Sequence, residues 1–255
     1  MADKSFTDNA ILGGALTLRQ PRRGHRVGHD AILLAAATPA QPAETAVEFG
    51  AGVGAAGLAL ARRVPELSVS LVEIDPELAA LAARNAEMNQ FSQRVRVLTL
   101  DVAAPARAYA AAGLIPGGAQ RVLMNPPFND PVRHKISPDA QRRRAHAAAH
   151  GALAHWTRKA STLLAHAGTL TLIWRADGIA DVLAALGRGF GGVAILPVYP
   201  RPEAAAIRIL VGATKGSRAP LTLLPGLTLN DADGRPTAQA EAVLRGGEGL
   251  SLVRP

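Results

Sequence analysis

The chain has 255 residues, carries a formal net charge of +8 at pH 7, and contains no cysteine. This length is enough for one large domain or two small ones with a real core. The lack of cysteine excludes disulfides and thiolate chemistry and fits a reducing cytoplasm. The sequence contains no run of about 18 uncharged apolar residues, so no membrane helix is predicted. The start MADKSFTDNA lacks the apolar region of a signal peptide. We therefore expect a cytoplasmic protein, and the basic excess suggests a polyanionic partner.

Strand and helix patterns alternate through most of the chain. Residues 1–43 precede the first of these strands and are expected to form an N-terminal extension that packs on the core. Parallel-type strands are predicted over 45–49, 67–74, 94–100, 121–124 and 169–174. Helices are predicted between them over 55–63, 76–89, 139–165 and 177–186, with Asp75 as an N-cap. Two final strands, 193–198 and 206–213, are joined by a turn too short for a helix, so they should pair antiparallel.

This alternation predicts an α/β fold with a Rossmann-like open sheet and helices on both faces. The mixed sheet would contain seven strands, five of them parallel and the last two forming an antiparallel hairpin. Residues 44–213 would form this domain. Residues 214–255 are rich in glycine and proline, and we expect them to form a loosely structured tail.

The segment VEFGAGVGAAG, residues 47–57, contains the spacing G-x-G-x-x-G, and the acidic residue Glu73 follows about twenty positions later. This pattern is typical of dinucleotide-binding loops. However, Glu48 ends the strand that enters the loop, and one unit charge about 4 Å from another contributes roughly 4 kcal/mol at an effective dielectric of 20. That interaction is unfavourable beside a pyrophosphate and favourable beside a cation. The charge therefore favours S-adenosylmethionine, which carries a sulfonium and an ammonium, over a nicotinamide or flavin.

Each expected cofactor contact follows from a strand end. Glu48 would support the positive methionine end, and the loop glycines would let the backbone approach the ligand. Glu73 would bind the ribose hydroxyls, Asp101 would accept from the adenine amino group, and two apolar side chains would sandwich the adenine ring. The alternative is that the glycines only form a tight turn, but three acids at three successive strand ends disfavour it. The candidate cofactor residues are Glu48, Gly50, Gly52, Gly54, Glu73, Ile74, Asp101 and Val102.

The fourth parallel strand ends in VLMNPPFND. Asn125 and Pro126 each precede a proline and are therefore restricted to extended conformations, and the prolines lack N–H donors. The loop thus presents two acceptors, the Asn125 side-chain oxygen and the Pro126 carbonyl, to the two N–H groups of a planar amine. Phe128 offers a flat face for an extruded base. The alternative is an ordinary rigid turn.

These segments resemble the class I methyltransferases with an N-P-P-[YF] motif, which act on exocyclic or amide nitrogens. The sequence is most similar to the bacterial family of adenine-N6 methyltransferases that modify A37 of valine tRNA, from about Asp8 to Arg218. The resemblance rests on TDNAILGGALTLRQPRRGHRVGHDAILLAAA, EFGAGVG, VEIDPEL, MNPPFND and PRPEAAAIRILVGATKGSR. It implies that Gly28 and Asp30 close over the cofactor, and that the catalytic loop consists of Asn125, Pro126, Pro127 and Phe128. Phe128 stands where tyrosine is common in this subgroup, and phenylalanine is also frequent in guanine-N2 rRNA methyltransferases.

Two basic clusters flank the expected site. We predict that they contact RNA phosphates, although a solvated charged face is the alternative. Their members are Arg22, Arg23 and Arg26 before the sheet, and Arg133, Lys135, Arg142, Arg143 and Arg144 after the catalytic loop.

The leading hypothesis is thus an S-adenosylmethionine-dependent adenine-N6 methyltransferase acting on tRNA. Guanine-N2 methylation of rRNA and N5-methylation of a release-factor glutamine remain alternatives, because their substrates also offer two N–H donors. A non-catalytic RNA-binding module with the same fold is a further alternative. We expect RNA as the partner, with neither a membrane nor a metal ion, and the oligomeric state stays open with a monomer favoured.

Overall fold

The computed structural model of the chain describes residues 5–22, 27–127 and 138–252, and for residues 138–150 it describes the backbone alone. The strands are β1 Phe6–Ile11, β2 Leu16–Pro21, β3 Thr45–Phe49, β4 Ser68–Glu73, β5 Val95–Thr99, β6 Ala119–Met124, β7 Leu164–Arg175, β8 Phe190–Tyr199, β9 Arg208–Lys215, β10 Thr222–Leu223 and β11 Leu227–Thr228. The helices are α1 His29–Ala37, α2 Ala55–Arg63, α3 Pro76–Met88, α4 Ala106–Ala111, α5 Pro138–Leu163, α6 Ile179–Leu186 and α7 Ala238–Leu244. None of the helices in these ranges is long and apolar enough to cross a membrane.

The central sheet has the order β5-β4-β3-β6-β7-β9-β8. Strands β3 to β7 are parallel, and β9 lies antiparallel between β7 and β8. This arrangement confirms the predicted mixed sheet of five parallel strands and a closing hairpin. Hydrophobic clusters cover its two faces, one containing α1 and α2 residues and the other containing α5 and α6 residues.

The start of α3 follows the predicted capping pattern. Oδ1 of Asp75 accepts hydrogen bonds from the N–H groups of Glu77 at 2.8 Å and Leu78 at 3.3 Å. Pro76 occupies the first helical turn, where its missing N–H would have no intrahelical acceptor. The predicted helix boundary was correct here because the signals are local.

The N-terminal extension consists of the β1–β2 hairpin and α1, and two asparagines, one in α3 and one at its C-cap, attach the hairpin to the core. Asn85 accepts from the backbone N–H of Arg19 at 2.7 Å and donates to its carbonyl at 3.0 Å. Asn89 makes the equivalent pair of bonds with Thr17, at 3.0 and 2.8 Å. The side-chain amides thus replace a neighbouring strand along β2, which satisfies backbone groups that would otherwise be unpaired.

The C-terminal tail differs from the expectation of a loose segment. β10 and β11 both pair parallel with β8, and α7 packs against α1. Tail residues such as Leu224, Leu227 and Leu250 are buried, and the N–H of Leu250 donates to the carbonyl of Ala36 at 2.8 Å. The prediction was wrong because glycine and proline mark the turns of this segment, whereas its scattered leucines bury apolar surface on the core.

Replacing Asn85 with alanine should lower the free energy of unfolding by about 2–4 kcal/mol, because several buried backbone groups lose their partners. Chemical denaturation would measure the change. Glu87→Ala, at an exposed position of the same helix, should change the value by no more than about 0.5 kcal/mol. Equal stability of the two variants would contradict the attachment role of Asn85.

Candidate active site

The predicted site residues follow four adjacent strands. β5, β4, β3 and β6 are neighbours and parallel, so their carboxyl ends meet at one edge of the sheet. The glycine loop, Glu73, Asp101 and Asn125 each lie at or just after one of these ends. The structure therefore brings these residues to one edge of the sheet, which in open α/β folds is the usual location of the ligand crevice.

The glycine loop depends on two close approaches. Gly50 has φ +63°, and a Cβ atom at this position would lie 2.6 Å from Cη2 of Trp156 in α5. A Cβ atom at Gly57 would overlap the Leu71 side chain and would lie 2.7 Å from Oε2 of Glu48. Gly50 thus permits both the left-handed conformation and the contact with the indole, while Gly57 lets α2 approach β3 and β4. Gly52 and Gly54 also have positive φ, and Gly54 is the N-cap of α2.

Glu73 joins the glycine loop to the following loop. Its Oε2 accepts from the N–H of Gly52 at 2.7 Å, and its Oε1 accepts from the N–H of Asp75 at 2.9 Å. A carboxylate has about four acceptor positions, so each oxygen keeps capacity for one further donor. The side chain of Glu73 is buried, and its remaining acceptor positions match the proposed bonds to two ribose hydroxyls.

Glu48 lies beneath the first turn of α2. Its Oε2 accepts from the N–H of Gly57 at 2.7 Å. Burial raises the pKa of the Glu48 carboxyl to about 8; the bond from Gly57 opposes the rise, and the nearby Glu73 charge adds to it. The sequence argument took Glu48 as ionised, whereas its burial in the structure favours the protonated form. A cation bound nearby would favour the ionised form.

The residues expected around the adenine differ in how much of their side chains is exposed. Ile74 is 62% exposed, whereas Val102 is 4% exposed and packs within the core. Asp101 is exposed, and its Oδ1 accepts from the N–H of Ala103 at 2.7 Å. The predicted sandwich therefore requires a correction: Ile74 offers a wide apolar surface, and Val102 offers little because the side chain is already covered.

The beginning of the catalytic loop contains an unpartnered acceptor. Oδ1 of Asn125 is buried and has no hydrogen-bond partner among residues 5–22, 27–127 and 138–252, the part of the chain that the structure describes. Leaving a buried polar atom unpaired costs about 1–3 kcal/mol, which a donor from a ligand would offset. Pro126 is buried and Pro127 is exposed. Phe128 lies outside the described residues.

Asp30 is placed by an ion pair that sequence reasoning did not anticipate. Its Oδ2 lies 2.9 Å from Nε of Arg208, at the start of β9. Arg208 is opposite Arg175 at the end of β7, so this pair lies at the same sheet edge as the crevice. Gly28, the N-cap of α1, is exposed beside it. Asp30 thus anchors the start of α1 over this edge, and a direct contact with the cofactor stays a prediction.

The predicted RNA contacts are only partly described. Arg22 is exposed, and its Nε donates to the carbonyl of Phe6 at 3.2 Å. The backbone of α5 contains Arg142, Arg143 and Arg144, whose side chains are not described. Arg23, Arg26, Arg133 and Lys135 lie outside the described residues.

Sequence reasoning missed the contribution of α5 to the site. The indole of Trp156 lies against Gly50 and edge-on to Phe49, with ring centroids 6.2 Å apart. Lys159 lies one turn further along the helix, and its Nζ donates to the carbonyl of Ala104 at 2.8 Å. The i, i+3 spacing of these two side chains was the available signal, but it does not identify their distant partners.

Comparison with known proteins identifies the family. The model of the methyltransferase small domain matches residues 25–198, more than half of the chain. The chain belongs to this family. A crystal structure of a predicted O-methyltransferase from Agrobacterium tumefaciens is 34% identical, with a TM-score of 0.74, and the match covers 87% of this chain and 98% of that one. Membership confirms the predicted class I methyltransferase fold, with S-adenosylmethionine as its cofactor.

Two further proteins are similar to this methyltransferase chain. A tRNA1(Val) (adenine(37)-N6)-methyltransferase from Porphyromonas gingivalis is 34% identical over 164 residues, which are 62% of this chain and 61% of that protein. The first curated relatives are thus matched over 39% to 61% of their lengths. The crystal structure of P. horikoshii TYW2 in complex with MeSAdo is 14% identical with a TM-score of 0.56, covering 85% of this chain and 74% of that one. It supports the fold alone.

The raised pKa of Glu48 predicts a pH dependence of stability in this methyltransferase. The folded protein holds this proton up to about pH 8, whereas an unfolded glutamate releases it near its ordinary value of 4.5. The contribution of Glu48 to the free energy of unfolding is therefore greatest below pH 4.5, decreases as the pH rises, and levels off above about 8. Denaturant unfolding from pH 5 to pH 9 should show a smaller decrease for Glu48→Gln than for the wild type. Parallel pH profiles would contradict the raised pKa.

Proposed function

We propose that the chain is an S-adenosylmethionine-dependent methyltransferase that acts on the N6 nitrogen of an adenine in tRNA. The buried Oδ1 of Asn125 carries this proposal, because it follows the strand paired with the one that enters the glycine loop and has no donor among the described residues. The Porphyromonas gingivalis and Proteus mirabilis relatives named tRNA1(Val) (adenine(37)-N6)-methyltransferase support adenine 37 of valine tRNA as the target.

The crevice fits the cofactor that the family implies. S-adenosylmethionine supplies a methyl group bonded to a positively charged sulfur. Glu73 would accept from the ribose hydroxyls with its remaining acceptor positions, and Asp101 would accept from the adenine amino group. Ile74 would cover the adenine ring with a side chain that is 62% exposed. Glu48 would lose its proton when the cationic methionine end binds, since an adjacent positive charge lowers a carboxyl pKa.

The catalytic loop would position the amine for attack. Oδ1 of Asn125 and the carbonyl of Pro126 would each accept one N–H bond. These bonds hold the nitrogen in place and draw it toward tetrahedral geometry, so its lone pair can point at the methyl carbon. The bound cofactor would supply the methyl group, leaving its sulfur neutral, and the methylated nitrogen would release a proton to water. Catalysis would depend mainly on positioning, which can contribute several kcal/mol.

The two acceptors favour nitrogen over oxygen as the atom that is methylated. A hydroxyl group has one donor, so it would leave one acceptor of the loop unpaired. An exocyclic amine satisfies both. The Agrobacterium tumefaciens relative is described as a predicted O-methyltransferase, and two acceptors on Asn125 and Pro126 would argue against that chemistry here.

RNA binding would use the basic residues on both sides of the loop. The cluster comprises Arg22, Arg23, Arg26, Arg133, Lys135, Arg142, Arg143 and Arg144. Contacts with phosphates would make the affinity decrease steeply with salt concentration.

The direct test is transfer from labelled S-adenosylmethionine to unmodified bulk tRNA, with the modified nucleosides identified by mass spectrometry. The proposal predicts N6-methyladenosine. A methylated guanosine would retain the mechanism and overturn the base. Methylation of a release factor in place of tRNA would show that the substrate is the glutamine amide.

Asn125→Ala should lower the rate of methyl transfer by about 100-fold or more, by analogy with the loss of one preorganised hydrogen-bonding group from an active site. Binding of S-adenosylmethionine, measured by calorimetry, should stay close to that of the wild type. Glu73→Ala should instead weaken the binding of S-adenosylmethionine in the same calorimetric measurement. Near wild-type transfer by Asn125→Ala would exclude the catalytic role of this residue.

A further inference from the structure

The loop of residues 101–105, which follows β5, is bound by a lysine of α5. Nζ of Lys159 donates to the carbonyl of Ala104 at 2.8 Å and lies 4.6 Å from the centroid of the Tyr109 ring. The ammonium therefore makes a charge-assisted hydrogen bond and a cation–π contact at once. Lys159 is half-buried, so solvent screens both interactions less than it would on an open surface.

Tyr109 holds the same loop from the α4 side. Its hydroxyl donates to the carbonyl of Val102 at 3.0 Å, and its ring packs edge-on against Phe49 with centroids 6.5 Å apart. Burial raises the pKa of the Tyr109 hydroxyl, and the charge of Asp101 raises it further. The phenol therefore stays protonated and remains a donor at all physiological pH values.

The loop also closes on itself through Asp101. The N–H of Ala104 donates to the backbone carbonyl of Asp101 at 2.9 Å, and the N–H of Ala103 donates to its Oδ1 at 2.7 Å. With the bonds from Lys159 and Tyr109 included, three hydrogen bonds hold the backbone of this loop and a fourth holds one oxygen of the Asp101 side chain. Its other oxygen, Oδ2, has no hydrogen-bond partner among the described residues and can accept from a ligand.

We propose that Lys159 and Tyr109 are positioning residues that orient Asp101 so that it selects the adenine base of the cofactor. The inference rests on the proposed function, because it takes the cofactor to be S-adenosylmethionine bound at this edge. Neither residue touches the reacting atoms. Their effect is to keep the loop in one conformation, which reduces the ordering that binding would otherwise require.

The test compares two product analogues that differ at one position of the base. S-adenosylhomocysteine carries an amino group at position 6, whereas S-inosylhomocysteine carries a carbonyl oxygen, which faces Asp101 as a second acceptor. Calorimetry with the full chain should show that the wild type prefers the adenine compound by about 10-fold or more. Lys159→Met, which retains the aliphatic stem, should reduce this preference to about 3-fold or less. Arg158→Met, which removes the neighbouring exposed cation, should retain the wild-type preference.

Two additional variants separate positioning from a structural role. Lys159→Arg should recover most of the preference, because it restores a cationic donor. Tyr109→Phe keeps the ring and removes only the bond to Val102, so it should reduce the preference even if Lys159→Met fails to fold. Equal weakening of both ligands by Lys159→Met, or an unchanged preference in Tyr109→Phe, would overturn the inference.

The affinities of the wild type for the two compounds separate a failure of this inference from a failure of the proposed function. Similar affinity for both compounds would show that Asp101 does not select the base, and the inference would fail while the proposed function stands. Failure of the wild type to bind S-adenosylhomocysteine would overturn the proposed function, and the inference with it.

Discussion

The close approach of α2 to the centre of the sheet is the constraint on which the candidate site depends. Oε2 of Glu48 accepts a hydrogen bond from the N–H of Gly57 at 2.7 Å, and no residue larger than glycine fits at position 57. This contact determines where the glycine loop must turn. The loop is then joined to β4, because the N–H of Ala51 donates to the Val72 carbonyl and the N–H of Gly52 donates to Glu73. Two buried carboxyls, of Glu48 and Glu73, and one backbone carbonyl thus set the position of the glycine loop.

Buried polar groups unite the parts of the molecule that surround the crevice. Asn85 binds both the β2 backbone and the carbonyl of Val53, 3.0 Å away in the glycine loop. The N-terminal hairpin is therefore attached directly to the cofactor loop. On the other side, Lys159 connects α5 to the loop after β5. The hairpin and α5, which contain or adjoin proposed RNA-binding residues, thus share hydrogen bonds with the loops proposed to bind the cofactor. A change in one of these elements therefore affects the other.

Much of this architecture was predictable because its signals are local. The strand–helix alternation, the Asp75 cap and the placement of Glu73, Asp101 and Asn125 at strand ends follow from short segments of sequence. The predicted elements differ from the observed ones mainly at their ends, as for the strand predicted at 169–174 and observed as Leu164–Arg175. The short helix α4, Ala106–Ala111, was not predicted. Hydrophobic periodicity fixes such elements without information about distant residues.

The amino-acid sequence by itself determined the fold class, the glycine loop and the rigid N-P-P turn. Only the tertiary structure decided that Glu48 is buried, which raises the pKa of its carboxyl, and that Val102 is covered by the core. It also decided that the tail adds strands beside β8, and that Lys159 reaches the carbonyl of Ala104. The physical reason is the same in each case: burial and long-range hydrogen bonds depend on which surfaces meet, and local spacing does not contain that information.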